Sequence, residues 1–101
     1  MPNSFSKHPV ETYPIGVDYT GKAPTGATLI SGTWSATDVA DESDVSAVVL
    51  ASTTAVISGS VAKCRVQNGD LSKLYRLGIT ANFDTGDILH DNVYMSVSED
   101  A

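Results

Sequence analysis

The sequence predicts an all-β domain built as a sandwich of two packed sheets, and three observations lead to that class. Several segments alternate apolar and polar residues with a period of two, which is the pattern of a strand with one buried face. Turn signals separate these segments roughly every 8–12 residues. No segment holds a helical period over a useful length. We therefore expect about seven short antiparallel strands.

The length, the net charge and the cysteine content of the chain exclude several kinds of protein. The chain has 101 residues, which suits one domain with a modest core. Its net charge is −6 and its six lysines and arginines form no run, so neither nucleic acid nor an anionic membrane is an expected partner. A single cysteine excludes an intramolecular disulfide. No apolar leader or bilayer-length segment is present, so we expect synthesis and folding in a cytosol.

The first twelve residues show no sustained periodicity and include two prolines. We expect residues 1–12 to form an extended N-terminal arm, with the packed domain spanning residues 13–101. Phe5 and Val10 are candidate contacts of this arm with a neighbouring subunit. A frayed terminus without a partner is the alternative.

Residues 13–20 and 27–36 are predicted to form the first two strands of the domain. Pro14 lacks an amide hydrogen, so the first of them should lie at a sheet edge. In the second, the bulky Ile30 and Trp34 share a face, which we expect to be the buried one.

The middle of the chain is predicted to hold an acidic loop and two further strands. The loop, residues 37–44, carries four carboxylates. Residues 45–52 are β-branched and apolar, which favours a strand. Residues 55–66 predict a long strand interrupted at Gly59, with Cys64 pointing inward.

The last third of the chain contains the clearest strands. Asn68 and Gly69 supply the positive φ angles that tight turns need, and residues 70–73 are predicted to form a short helical turn. From residue 74 to 84 the alternation places Tyr75 and Phe83 on one apolar face. Residues 88–98 form the final strand.

The residues that could carry chemistry do not form a recognised motif. The acidic residues of the 38–44 segment could bind calcium, but the EF-hand order is absent, and a solvated loop is the alternative. His8, His90 and Cys64 lack the paired spacing of a zinc site. No serine lies in a nucleophile elbow, and Cys64 is expected to be a buried small hydrophobe. We therefore expect no catalytic residues, no metal and no cofactor, and hence no enzyme.

Three residues are expected to be structural core: Trp34, Tyr75 and Phe83. Tyr75 opens the penultimate strand directly after a turn, which resembles the tyrosine corner of immunoglobulin-like sandwiches. In that corner the hydroxyl bonds back to the nearby backbone. An ordinary core tyrosine is the alternative.

The order of short segments resembles a known group of proteins. Asp-Tyr-Thr from residue 18 is followed by Gly-Ala-Thr-Leu-Ile-Ser-Gly-Thr-Trp from 26 and Ile-Ser-Gly-Ser-Val-Ala from 57. Leu-Tyr-Arg-Leu-Gly-Ile-Thr-Ala begins at 74, Thr-Gly-Asp at 85 and Val-Tyr-Met-Ser-Val at 93. Over roughly residues 12–98, this order is similar to that of small immunoglobulin-like structural proteins of tailed bacteriophages, of the fiber–tail adaptor or tether type.

The resemblance implies an immunoglobulin-like β-sandwich that works as a virion component. Its partners would be fiber, tail, neck or capsid subunits and copies of itself in a symmetric homo-oligomer, after synthesis in the host cytoplasm. A capsid decoration protein and a carbohydrate- or receptor-binding module are the alternatives. In an assembly, the arm of residues 1–12 and an edge strand are the expected attachment points.

Overall fold

The computed structural model describes residues 3–99, and these contain eight strands and one short helix. In chain order they are β1 (Asn3–Lys7), β2 (Tyr13–Asp18), β3 (Leu29–Asp38), β4 (Ser43–Asp44), α1 (Ser46–Val49), β5 (Val56–Ser58), β6 (Val61–Val66), β7 (Leu74–Phe83) and β8 (Ile88–Val97).

The strands form two sheets, which confirms the all-β class. One sheet has five strands in the order β1-β8-β7-β3-β4, and the other has three in the order β2-β6-β5. All neighbouring strands are antiparallel except β1 and β8, which run parallel. As Pro14 predicted, β2 lies at the edge of its sheet.

The core lies between the two sheets because alternate residues of each strand point inward. Trp34 of β3, Leu77 and Ile79 of β7 and Val66 of β6 are all 0% exposed. Fully burying a large apolar side chain contributes about 1.5–3 kcal/mol, so residues of this kind supply most of the driving force. The inward alternation predicted for β6 and β7 is confirmed, and β8 buries Val93, Met95 and Val97 in the same way.

One irregularity in β3 reverses the predicted face of a large side chain. Leu29 pairs with Phe83, and the next paired residue is Ser31, so Ile30 is an extra residue in the strand. A bulge of this kind shifts the alternation by one position. Leu29 is consequently 5% exposed and Ile30 is 56% exposed. The prediction that Ile30 shares the inner face of Trp34 is wrong.

The first strand corrects the expected domain boundary. Every residue of β1 pairs with β8, so residues 3–7 belong to the five-stranded sheet and are not a detached arm. Phe5 packs against the core and Lys7 is fully buried. One inward position of β1 is therefore a lysine, which removes the apolar alternation that would have marked a strand. Residues 8–12 link β1 to β2, and residues 1 and 2 lie outside the described residues.

A crossing segment of residues 46–58 closes one side of the sandwich. The N–H of Ala51 donates to the carbonyl of Arg65 on β6 at 3.0 Å. Two residues later the segment pairs with the other sheet, where the N–H of Trp34 donates to the carbonyl of Thr53 at 2.7 Å. The same short stretch thus satisfies backbone groups at the edges of both sheets.

The strand predicted over residues 45–52 is replaced within this segment by α1 and a single bridge. Ser46–Val49 is helical, and Leu50 forms an isolated bridge to Val66. The helix places Val49 and Leu50 in the core, at 0% and 2% exposure. Tertiary burial therefore overrides the β propensity of the valines here. The interruption predicted at Gly59 is confirmed as the turn of the β5–β6 hairpin.

Candidate functional site

The residues proposed for metal or nucleophile chemistry lie apart. His8 is in the link between β1 and β2, Cys64 points into the core from β6, and His90 is on the outer face of β8. His90 interacts with the hydroxyl of Thr80, at 3.1 Å. Across residues 3–99 no group of three or more His, Cys, Asp or Glu side chains is arranged to hold a metal ion.

Two carboxylates of the acidic segment are engaged by basic side chains on β7 and just before it. Asp38 binds the ammonium of Lys73 at 3.0 Å, and Glu42 binds the guanidinium of Arg76 at 2.9 Å. A calcium site needs six or more oxygens converging on one point. Because each of these acids has its own cation, the segment does not assemble such a site.

The other two carboxylates of the segment are held by their own loop. Asp41 accepts hydrogen bonds from the N–H and hydroxyl of Ser43, at 3.0 and 2.6 Å. Asp44 does the same with Ser46, at 2.9 and 2.7 Å. The serine hydroxyl and then the backbone N–H lower the pKa of both carboxyl groups. Both are exposed and carry their charge near neutral pH.

Cys64 is unsuited to nucleophilic chemistry. It is 5% exposed between the sheets, and burial raises the pKa of its thiol to about 12. The thiolate is the reactive form of cysteine, and with this pKa almost none of Cys64 is ionised near neutral pH.

A cavity of about 270 Å³ at one end of the sandwich offers no acid or base. Tyr19, Leu29 and Phe83 contribute to its mainly apolar lining, and the Tyr19 hydroxyl is the one titratable group among the lining residues. That hydroxyl is buried without a hydrogen bond of good geometry. Burial first, and then the neighbouring Asp91 carboxylate, raise its pKa far above neutral. It therefore stays protonated and cannot act as a general base.

The structure separates the two residues proposed as arm contacts. Phe5 is half-buried and makes an edge-to-face contact with Tyr13, with ring centroids 6.2 Å apart. Val10, in the link that follows β1, is 82% exposed. Val10 is therefore accessible to a partner, whereas the Phe5 ring is largely occupied within the chain.

The three residues proposed as structural core are all buried, and one makes a specific bond. Trp34, Tyr75 and Phe83 are each at most 3% exposed. The hydroxyl of Tyr75 accepts a hydrogen bond from the N–H of Asp70 at 2.9 Å. It ties the start of β7 to the turn that precedes it. That turn has no helical segment, since Ser72 has a φ of 66°.

The outer faces of the two sheets differ in chemistry. Outward residues of the five-stranded sheet are mostly uncharged, and the larger ones are Leu74, Arg76, Ile88, His90 and Tyr94. The three-stranded sheet presents a mixed apolar and cationic surface, which we call the basic face. Its outward residues are Pro14, Gly16, Asp18, Val56, Ser58, Val61, Lys63 and Arg65, so one carboxylate, that of Asp18, lies at the end of this face.

The sequence does not predict the basic face, although it places two of its residues on an outer side of a strand. The outward alternation of Lys63 and Arg65 along β6 is visible in the sequence. Their neighbours are not visible, because Pro14 and Val56 reach the same surface only through the pairing of β2 and β5 with β6.

The described architecture defines an all-β protein of two sheets whose exposed features are sheet faces and turns. No protein-family model matches the chain, and no curated protein matches it significantly. Within residues 3–99, no helix is long and apolar enough to serve as a membrane span.

Proposed function

We propose that this chain is a structural component of a tailed-bacteriophage virion, an adaptor that links tail fibers to the tail or neck. The observation that carries the proposal is the strand order. The series β8-β7-β3 opposite β2-β6-β5 corresponds to the CFG and BED strands of an immunoglobulin-like sandwich. This is the fold that the resemblance to phage adaptor proteins implies.

Two side chains support the immunoglobulin-like assignment. Trp34 is fully buried on β3, the counterpart of the strand that carries the core tryptophan of such domains. Tyr75 lies near the start of β7, and its hydroxyl bonds to the backbone five residues upstream. This bond is of the kind made in the tyrosine corner of immunoglobulin-like domains, and it supports that assignment.

The step from fold to function depends on the resemblance, because one fold serves many functions. The matching segments are strands and turns in a shared order, and they include no catalytic motif. An adaptor needs surfaces that bind neighbouring subunits, and the exposed features here are the outer sheet faces and the acidic segment. We therefore propose that attachment uses these surfaces, together with Val10, and that no catalytic step is involved.

The carbohydrate-binding alternative receives less support. A sugar site stacks its ligand on exposed aromatic rings, and the candidate rings in this sequence are those of Phe5, Tyr13, Tyr19 and Tyr94. Tyr19 is 1% exposed, while Phe5 and Tyr13 are half-buried against each other. Tyr94 alone remains on an outer sheet face.

Deleting the gene from the phage genome that encodes the chain tests the adaptor role against the decoration role. We expect mutant particles with filled heads and tails that lack fibers under the electron microscope and adsorb poorly to cells. Particles that keep their fibers but have heat-sensitive capsids would support the decoration role instead. Mutant particles with normal fibers and normal heat resistance would contradict both the adaptor role and the decoration role.

A further inference from the structure

Three of the six lysines and arginines are neither paired with a carboxylate of the described residues nor buried, and two of them, Lys63 and Arg65, lie on the basic face, while the third, Lys22, lies in the turn between β2 and β3. Lys73 and Arg76 have carboxylate partners, and Lys7 is buried against backbone carbonyls. Lys63 and Arg65 form no ion pair with any described residue. They lie two positions apart on β6, so both point outward on a chain of net charge −6.

The same face is apolar and indented. Val56 is 64% exposed beside the two cations. A Cβ atom added at Gly16 would lie 2.7 Å from Cγ1 of Val61, so the glycine allows Val61 to lean across β2. Two adjoining depressions, of about 250 and 230 Å³, share Pro14 and Lys63 in their linings. Apolar contact and positive charge are thus available at one place.

The complementary surface is on the other sheet. Asp41 and Asp44 are exposed, and the hydrogen bonds from Ser43 and Ser46 fix their carboxylates in ionised form. Unlike Asp38 and Glu42, they form no ion pair with a described residue, and Lys73 contributes only a minor part of the lowered pKa of Asp41. We call this pair of carboxylates, with the turn of residues 39–44, the acidic turn.

We propose that the basic face of one copy of this chain docks on the acidic turn of a second copy. The two surfaces differ, so the contact is heterologous and leaves one of each surface free on every pair. Such a contact repeats and closes into a ring when the rotation between copies permits. The inference rests on the proposed assembly role, since it names the surfaces that neighbouring copies use.

The attraction between the basic face and the acidic turn has to exceed the repulsion between two chains that each carry a net negative charge. The screening length is about 8 Å at physiological salt, so distant charges contribute little while close charge pairs still attract. Contacts between exposed charges are individually weak. We therefore expect self-association that becomes visible at high protein concentration and weakens between about 0.15 and 0.5 M salt.

Sedimentation velocity of the full chain at about 1 mM, which detects a free energy of association near −4 kcal/mol, tests the contact. We expect dimers and larger species for the unmodified protein. Lys63→Glu should shift it toward monomer, whereas Lys22→Glu, which changes the net charge equally in the β2–β3 turn, should not. An unmodified chain that remains monomeric, or equal behaviour of the two variants, would overturn the proposal.

A mixing experiment identifies the opposing surface. Asp41→Asn with Asp44→Asn keeps the side-chain oxygens that accept from Ser43 and Ser46 but removes both charges. Although this variant is less acidic overall, it should be monomeric, as should Lys63→Glu with Arg65→Glu. An equimolar mixture should form dimers and nothing larger, because only one basic face and one acidic turn remain per pair.

The other possible results of these experiments distinguish a failure of the proposed self-contact from a failure of the proposed adaptor role. Circular dichroism and urea unfolding of each variant establish that it is folded. A mixture that stays monomeric, or a basic face that binds another virion protein in place of a second copy, overturns the self-contact. In both cases a chain that is still found in the particle leaves the adaptor role intact, whereas a chain missing from the particle contradicts that role.

Discussion

The ammonium of Lys7 lies 2.6 Å from the carbonyl oxygen of Asn68, which joins the end of β1 to the loop between β6 and β7. The same group also donates to the carbonyls of His8 and Pro9, at 2.8 and 3.3 Å. Its three donors therefore have three backbone acceptors. Burial lowers the pKa of Lys7, partly offset by Glu11. The bond explains how a strand with little apolar character stays in the sheet.

Replacing this lysine should loosen the whole first strand. In Lys7→Met, the partly buried carbonyls that accept from the ammonium lose their donor, and an acceptor left unpaired in a buried site costs about 1–3 kcal/mol. We expect a fall of that size in the free energy of unfolding, measured by urea denaturation. Lys22→Met, on an exposed turn, should change it by less than about 0.5 kcal/mol. Equal effects of the two substitutions would show that the bond does not stabilise the fold.

Removing the corner hydroxyl should also be costly. Tyr75→Phe leaves the N–H of Asp70 without its acceptor, so we expect a loss of about 1–2 kcal/mol in unfolding free energy. Tyr94→Phe removes a hydroxyl from the outer face of the neighbouring strand β8 and is the matched control. Thermal or urea unfolding of both variants gives the comparison. A Tyr75→Phe protein as stable as the control would contradict the role of the corner.

The bulge in β3 makes opposite predictions for two adjacent residues. Leu29→Ala should destabilise the protein by about 2–4 kcal/mol, because the leucine is buried. Ile30→Thr keeps β-branching on an exposed site and should be within about 0.5 kcal/mol of neutral. Urea denaturation measures both. The reverse order of effects would mean that Ile30 points inward and that the bulge is absent.

Stability at alkaline pH should depend on Cys64. Its folded pKa, about 12, exceeds the ordinary value of 9.0, so its contribution is complete below pH 9 and is lost as the pH rises toward 12. The pKa values of Tyr13 and Tyr19 are also raised, so both tyrosines contribute a loss of stability in the same direction above pH 10. The unmodified protein should therefore lose unfolding free energy between pH 8 and pH 10.5 more steeply than Cys64→Ala.

Urea denaturation at several pH values measures that difference. Cys64→Ala should be the less stable protein at pH 8 because it leaves a small cavity, and the gap should narrow as the pH rises. A gap that stays constant would indicate that the thiol ionises equally in the folded and unfolded states.

The parts of the fold that follow simple alternation could be predicted from the sequence. In β7 the apolar face from Tyr75 to Phe83 is uninterrupted, and the edge position of β2 follows from the missing amide hydrogen of Pro14. The parts that depend on distant contacts could not. β1 was not predicted because one of its inward residues is the charged Lys7. The extra residue Ile30 changes which side chains of β3 point inward. The valine-rich segment is helical because the helix buries Val49.

The candidate binding surfaces could also be predicted only where they depend on local alternation along one strand. Lys63 and Arg65 could be assigned to an outer face from their alternation with Cys64. The apolar residues of that face come from the strands that pair with β6. The sequence alone does not show which strands these are. The ion pair of Asp38 likewise depends on the position of Lys73, which lies just before β7 and 35 residues away along the chain.

Quantitative mass spectrometry of purified phage particles shows whether the chain is a structural part of the virion. We expect it to co-purify with the particles at a fixed number of copies per particle, greater than one, after the free protein has been removed. Particles that contain no copies of the chain, while it accumulates in the infected cell, would contradict the proposal that it is a structural part of the virion.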